Sequence, residues 1–221
     1  MAKRADNHAR RRPRQARARV TVDTILEAAA QILARQGYAA LTTNRIAERA
    51  GVSIGSLYQY FPNKEAVLVA LFERYLESMF SAAERAARER QGAPLPEVLR
   101  AVIEELLAVR IAAAGLHRKL MEEGPRLGRL RRIRAIKAKS VRLIRQLLEQ
   151  YRSLTARTDL DRSAYVLVNA IESLMHAMLI DTPTPPRAVM VDEITLVALG
   201  YLTYRDDASG RRIRRGRSTS R

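Results

Sequence analysis

The sequence predicts an all-α fold, and three observations carry that reading. Apolar residues recur at three- and four-residue steps between residues 20 and 205, and no run alternates apolar and polar residues as a half-buried strand does. The breaks between periodic segments fall on Gly, Pro, Ser, Thr and Asn, the residues that start and stop helices. With 221 residues, the chain is long enough for a small head of about fifty residues and a second helical body with its own core.

The first nineteen residues have no apolar period. They carry Lys3, Arg4, Arg10, Arg11, Arg12, Arg14, Arg17 and Arg19 against Asp6, so residues 1–19 read as a disordered basic arm. Thr21 is placed to cap a first helix with the stripe Val22, Ile25, Leu26, Ala29, Ile32 and Leu33, which Gly37 stops. A short second helix follows Thr42, carries Ile46, Ala47 and Ala50 inward and ends at Gly51, the residue type that most easily turns left-handed. Ser53 caps a third helix through Phe61, Pro62 breaks it, and Asn63 caps a long fourth helix to about Arg90.

After the break at Gln91 to Pro94, helices are expected at about 95–113, 115–123, 127–152, 159–180 and 188–204. A stiff proline loop from Asp181 to Pro186 joins the last two. Both are strongly apolar, with Val166, Val168, Ile171, Leu174, Met175, Met178 and Leu179 on one and Met190, Ile194, Val197, Ala198 and Leu202 on the other. The expected domains are a head at 20–66 and a helical body at 67–205, followed by a second disordered basic tail at 206–221.

A formal charge of +17 points toward nucleic acid, but most of it lies in the two tails. There is no cysteine, which removes disulfides, thiolate zinc sites and cysteine nucleophiles. No stretch of about eighteen apolar residues occurs and no secretory leader opens the chain, so a soluble, cytoplasmic protein with no membrane partner is expected. Phosphate-binding loops, dinucleotide fingerprints and HExxH are missing, and the three histidines, His8, His117 and His176, are scattered; neither an enzyme, a cofactor nor a metal is expected.

Two short helices joined by Gly51, Val52 and Ser53 make a helix-turn-helix. A recognition helix shows side chains to base edges while flanking donors grip phosphates. Thr43, Tyr58, Tyr60 and Lys64 offer donors of the second kind, Lys64 at the start of a helix whose first N–H groups point outward. Base reading falls to Asn44, Ile54, Gly55, Ser56 and Gln59, with Gln59 suited to adenine and Ile54 to a thymine methyl. Leu57 and Phe61, at an i, i+4 step, belong to the core.

The segment Ile25 to Leu68, with Leu41-Thr42-Thr43, Ala50 to Ser53, Gly55 to Tyr58, Tyr60-Phe61 and Asn63 to Glu65, resembles the N-terminal domain of the TetR/AcrR family of transcriptional regulators. The resemblance implies an N-terminal helix-turn-helix DNA-binding domain and a C-terminal helical ligand-binding and dimerisation domain. It also implies a double-stranded DNA operator as partner and a homodimer in which the last two helices form a four-helix bundle with their copies. The expected action is that of a homodimeric repressor on a palindromic operator, released by a small hydrophobic or amphipathic inducer. A nonspecific architectural DNA binder driven by the arginine arms is the competing reading. The N-terminal arm either lies in a minor groove beside the recognition helix or serves as a solubilising tail.

In the body, Tyr165, Asn169, Glu172 and His176 form one polar stripe on an apolar helix. These groups either bond one another or a facing subunit, with Glu172 and His176 as an i, i+4 pair, or they point into an inducer pocket. His117, Met121, Met175 and Met178 are candidates for an apolar cavity wall, although methionines are also ordinary core filler. Arg126 to Arg145 holds nine basic residues and no acidic one; it reads as a solvated face, or as a surface for an acidic ligand or flanking DNA.

Overall fold

The computed structural model describes residues 6–127, 131–180 and 185–205. Among these it shows nine α-helices and no strand: α1 (Asp6–Gln36), α2 (Thr43–Ala50), α3 (Ile54–Tyr60), α4 (Lys64–Glu89), α5 (Leu95–Ala112), α6 (Ala114–Leu127), α7 (Arg131–Gln150), α8 (Leu160–Ile180) and α9 (Arg187–Thr203). The all-α expectation holds, and the helices from α2 onward begin and end within a few residues of where their caps place them.

The start of α1 differs. Thr21 does not cap it; its Oγ1 donates to the Arg17 carbonyl at 3.0 Å, one turn back inside a continuous helix. Residues 6–19, expected as disordered arm, are therefore helical. Ala and Arg are strong helix formers, and extending an existing helix needs no new nucleus. The rest of the arm, the 206–221 tail and residues 181–184 of the proline loop lie outside the described residues.

Local chemistry shapes the head. Thr42 Oγ1 accepts from the Arg45 N–H at 3.4 Å, Ser53 Oγ from the Ser56 N–H at 3.0 Å, and Asn63 Oδ1 from the Ala66 N–H at 2.8 Å, so each helix start has a side-chain partner for an orphan amide. Gly51 adopts φ 65°, letting its N–H reach the Glu48 carbonyl while the Val52 N–H reaches the Ala47 carbonyl at 3.0 Å. Both bonds close α2 in a Schellman turn and aim the chain directly into α3.

The first core joins Ile25, Leu33, Leu41, Ile46, Leu57 and Leu68 with Phe72, Tyr75, Leu120 and Ile133. Helix α4 runs through the expected boundary at residue 66, and its Val67, Leu68, Leu71 and Phe72 pack in the same core. A second core joins α5, α7, α8 and α9 through Leu99, Ile103, Leu148, Leu167, Met175 and Ile194. Helix α6 closes on α1 at Gly115, where an added Cβ would stand 3.5 Å from the Ala34 carbonyl oxygen.

Candidate functional site

On α3, Leu57 and Phe61 are buried as expected, which turns Ile54, Gly55, Tyr58, Gln59 and Tyr60 outward. Tyr58 is 51% exposed, and its hydroxyl lies 3.2 Å from Thr43 Oγ1, so one hydrogen bond ties the open faces of α2 and α3 together. Asn44 is exposed beside them. Ser56 is half-buried and its Oγ is 2.9 Å from Ser53 Oγ, so its hydroxyl has a partner within the turn. Lys64 is half-buried, with Nζ 4.3 Å from the centroid of the Tyr38 ring, and the Tyr38 hydroxyl donates to Glu65 Oε1 at 3.0 Å. This cation–π contact holds the ammonium at the first turn of α4.

Two further residues, not foreseen, lock α2 onto α1. Arg49 Nε donates to Gln31 Oε1 at 2.8 Å, and the Arg45 guanidinium bonds the Ala40 carbonyl and the Gln36 side chain. The surface made by α2, α3 and the start of α4 thus offers hydroxyl, amide and ammonium donors from a rigid base.

A cavity of about 240 Å³ opens in the body, where α4, α5, α6, α7 and α8 meet. Tyr75 Oη is 2.7 Å from His117 Nδ1, and His117 Nε2 is 3.1 Å from His176 Nδ1, so three polar groups form one chain in its wall. Burial chiefly, then the Arg110 charge and His176, holds the His117 imidazole down at about 4, so it is neutral near pH 7. Burial pushes the Tyr75 phenol up to about 12, against the opposing pull of Arg110. Lys137 Nζ lies 3.5 Å from Glu172 Oε2, and Arg110 Nη1 donates to the Glu172 carbonyl at 3.3 Å.

Comparison with known proteins places the chain. Residues 25–71 match the family model described as bacterial regulatory proteins of the tetR family, and residues 94–202 match that of the tetracycline repressor-like C-terminal domain. The chain belongs to the TetR family of DNA-binding transcriptional regulators. It is similar to the fatty acid metabolism regulator protein of Bacillus subtilis, 35% identical over 66 residues, which are 30% of this chain and 34% of that protein. It is also similar to the HTH-type transcriptional repressor KstR of Mycolicibacterium smegmatis, 41% identical over 63 residues, 28% of this chain and 31% of that one. The matched stretch spans about a third of the length of these curated relatives.

Two solved structures extend the likeness in fold to most of the chain. The fatty acid degradation regulator FadR from Bacillus halodurans aligns with TM-score 0.67 and 21% identity over 84% of this chain and 97% of that one. A TetR family transcription regulator from Marinobacter aquaeolei aligns with TM-score 0.66 and 20% identity over 86% and 100%.

In this TetR-family body, the seven residues expected at a ligand site divide. His117, Met121, Glu172 and His176 line the cavity. Tyr165 is exposed, the Asn169 side chain donates to the Tyr165 carbonyl of its own helix at 2.8 Å, and Met175 is fully buried in the second core. Since the cavity meets α8 only at Glu172 and His176, the polar stripe does not enter it as a whole. The expected Glu172–His176 pair is replaced by the Lys137 and His117 partners, because neighbouring helices reach each group first. Sequence reasoning missed Tyr75 and Arg110. Arg110 carried a signal: it continues the buried row Ile103, Leu107 at an i, i+7 step, a position where a charge is out of place.

Proposed function

We propose that the protein is a homodimeric repressor that grips a palindromic operator through paired α2–α3 heads and lets go when a small hydrophobic or amphipathic inducer fills the cavity. The observation that carries this reading is the shared helix α4: Lys64 stands at its first turn beside the recognition helix, while Phe72 and Tyr75 stand in the cavity wall. At 1.5 Å per residue the two sites are about 12 to 17 Å apart along one rigid rod. Helix α6 offers a second link, since it carries His117 and Met121 into the cavity and packs on α1 at Gly115. An inducer that binds one arrangement of these helices better than the other changes the spacing of the heads.

Pairing is supported by large apolar side chains exposed on the last two helices, Tyr165 on α8 and Val189, Leu196 and Val197 on α9. Two heads are also needed to read enough base pairs, on half-sites about 34 to 36 Å apart or a multiple of that.

Selection of bound sequences from random DNA tests the reading. It is expected to return an inverted repeat bound about a thousandfold more tightly than scrambled DNA at physiological salt. A specificity ratio near one would favour the architectural binder instead.

A further inference from the structure

Arg110 is 6% exposed, in a helix whose neighbouring inward residues Leu99, Ile103 and Leu107 are fully buried. A guanidinium cannot shed its charge, so its burial calls for an anion or a full set of acceptors. Among the described residues its donors outnumber its acceptors, and no carboxylate is hydrogen-bonded to it. Its Nη1 has the Glu172 carbonyl at 3.3 Å and its side chain interacts with the Tyr75 hydroxyl, but its buried Nε has no acceptor. The Glu172 carboxylate, in the same cavity, is paired with Lys137 at 3.5 Å. With His117 held neutral in the same wall, Arg110 faces the cavity as a cation with no carboxylate bonded to it.

Apolar walls flank that charge on two sides. On one side lie Phe72, Met79, Ile133 and Ile136; on the other a second space of about 60 Å³ lies between Val102 and Leu143, with Arg110 lining both. Together the two spaces stand at the lower end of ligand-pocket sizes, roughly 300 Å³, which favours a small occupant. A planar guanidinium fork matches a carboxylate in shape as well as charge.

We propose that the cavity is a receptor for a small monocarboxylate with an apolar tail, its carboxylate paired with Arg110 and its tail laid along the Phe72–Met79–Ile136 wall. This rests on the reading of the cavity as the inducer site and adds the chemical class of the inducer. Lys137 keeps its own partner and is not the receptor. Tyr75, His117 and His176 are joined by two hydrogen bonds in the same wall, with the Tyr75 hydroxyl next to Arg110, so they border the carboxylate site.

Isothermal titration of the full chain near pH 7.5 with decanoate and with decanol tests it. Decanoate is expected to bind one per chain at least about tenfold more tightly than decanol, the step given by one good charge-assisted pair. Arg110→Met is expected to erase that preference while keeping decanol binding, and Arg110→Lys to keep only part of it; Lys137→Met is expected to leave it in place. Equal affinity for the two probes, no binding of either, or loss of the preference in Lys137→Met alone overturns the proposal. The probe comparison on the unaltered chain decides the matter even if Arg110→Met fails to fold. DNA release is scored separately: decanoate that binds through Arg110 without releasing the selected DNA supports the receptor and sinks the release model, whereas equal binding and equal release by both probes does the reverse.

Discussion

Gly55 stands on the open face of α3 with no duty inside the molecule that demands a glycine. Its φ is not positive, and an added Cβ would meet only Ser53 Oγ at 3.9 Å, an ordinary contact. Gly55→Ala is therefore expected to leave stability unchanged or raise it by up to about 1 kcal/mol, as alanine does in helices. If α3 lays its backbone against a duplex, the same methyl is in the way, and affinity for the selected DNA is expected to fall by about 1 kcal/mol or more. Thermal unfolding and fluorescence anisotropy measure the two effects, and unchanged affinity would argue against close backbone approach. His117 supplies a second residue-scale prediction. Its imidazole titrates at about 4 in the folded chain instead of 6.5, so the unfolded chain binds a proton that the folded chain refuses between those values. The stability tied to its neutral form is complete above about pH 6.5 and is lost as pH falls toward 4. Allowing for solvent at the cavity side, that loss is about 1 to 2 kcal/mol. Urea unfolding at about pH 7.5 and about pH 5 should show a smaller decrease for His117→Gln than for the unaltered chain; equal decreases would mean the imidazole does not titrate as stated.

At the scale of elements, the turn between α2 and α3 depends on Gly51. Nothing lies within 4 Å of the Cβ it lacks, so a substitution is opposed by its φ of 65° alone. Gly51→Ala should destabilise by about 1 to 2 kcal/mol and Gly51→Asn by clearly less, since asparagine tolerates the left-handed region. Denaturant midpoints separate the two, and equal costs would place the strain elsewhere. This turn, with the caps at Thr42, Ser53 and Asn63, was legible in the sequence because each depends on residues at most five apart, with little tertiary help. Thr21 misled for the same local reason: threonine caps well, but here the preceding turn was already helical and its hydroxyl bonded backward. The cavity was legible only in pieces. His117 and His176 could be singled out as polar groups in apolar helices, yet their meeting, and that of Tyr75 with His117 across 42 positions, depends on how α4, α6 and α8 cross. Periodicity within one helix does not contain that information.

For the whole molecule, the apolar richness of the last two helices exceeds what one chain can cover. Met190, Val191, Ile194, Ala198 and Leu202 of α9 are buried against α5 and α8, while Leu196 and Val197, 62% and 50% exposed, face away from that core. On the proposed pairing they belong, with α8, to the surface a second copy covers, and a two-fold axis there would set each of these residues near its own counterpart. Glutamates at both positions stand in water in a single chain, so Leu196→Glu with Val197→Glu is expected to preserve helix content by circular dichroism. In a pair the same carboxylates face one another across a dry contact, where like charges and desolvation both oppose assembly. Sedimentation velocity is therefore expected to show a dimer for the unaltered chain and a monomer for the double variant. Affinity for a full inverted repeat should drop toward that for a single half-site, because the two heads no longer bind as one unit. A double variant that remains dimeric would move the interface off α8 and α9, and one that is monomeric yet holds the full repeat undiminished would separate pairing from DNA recognition.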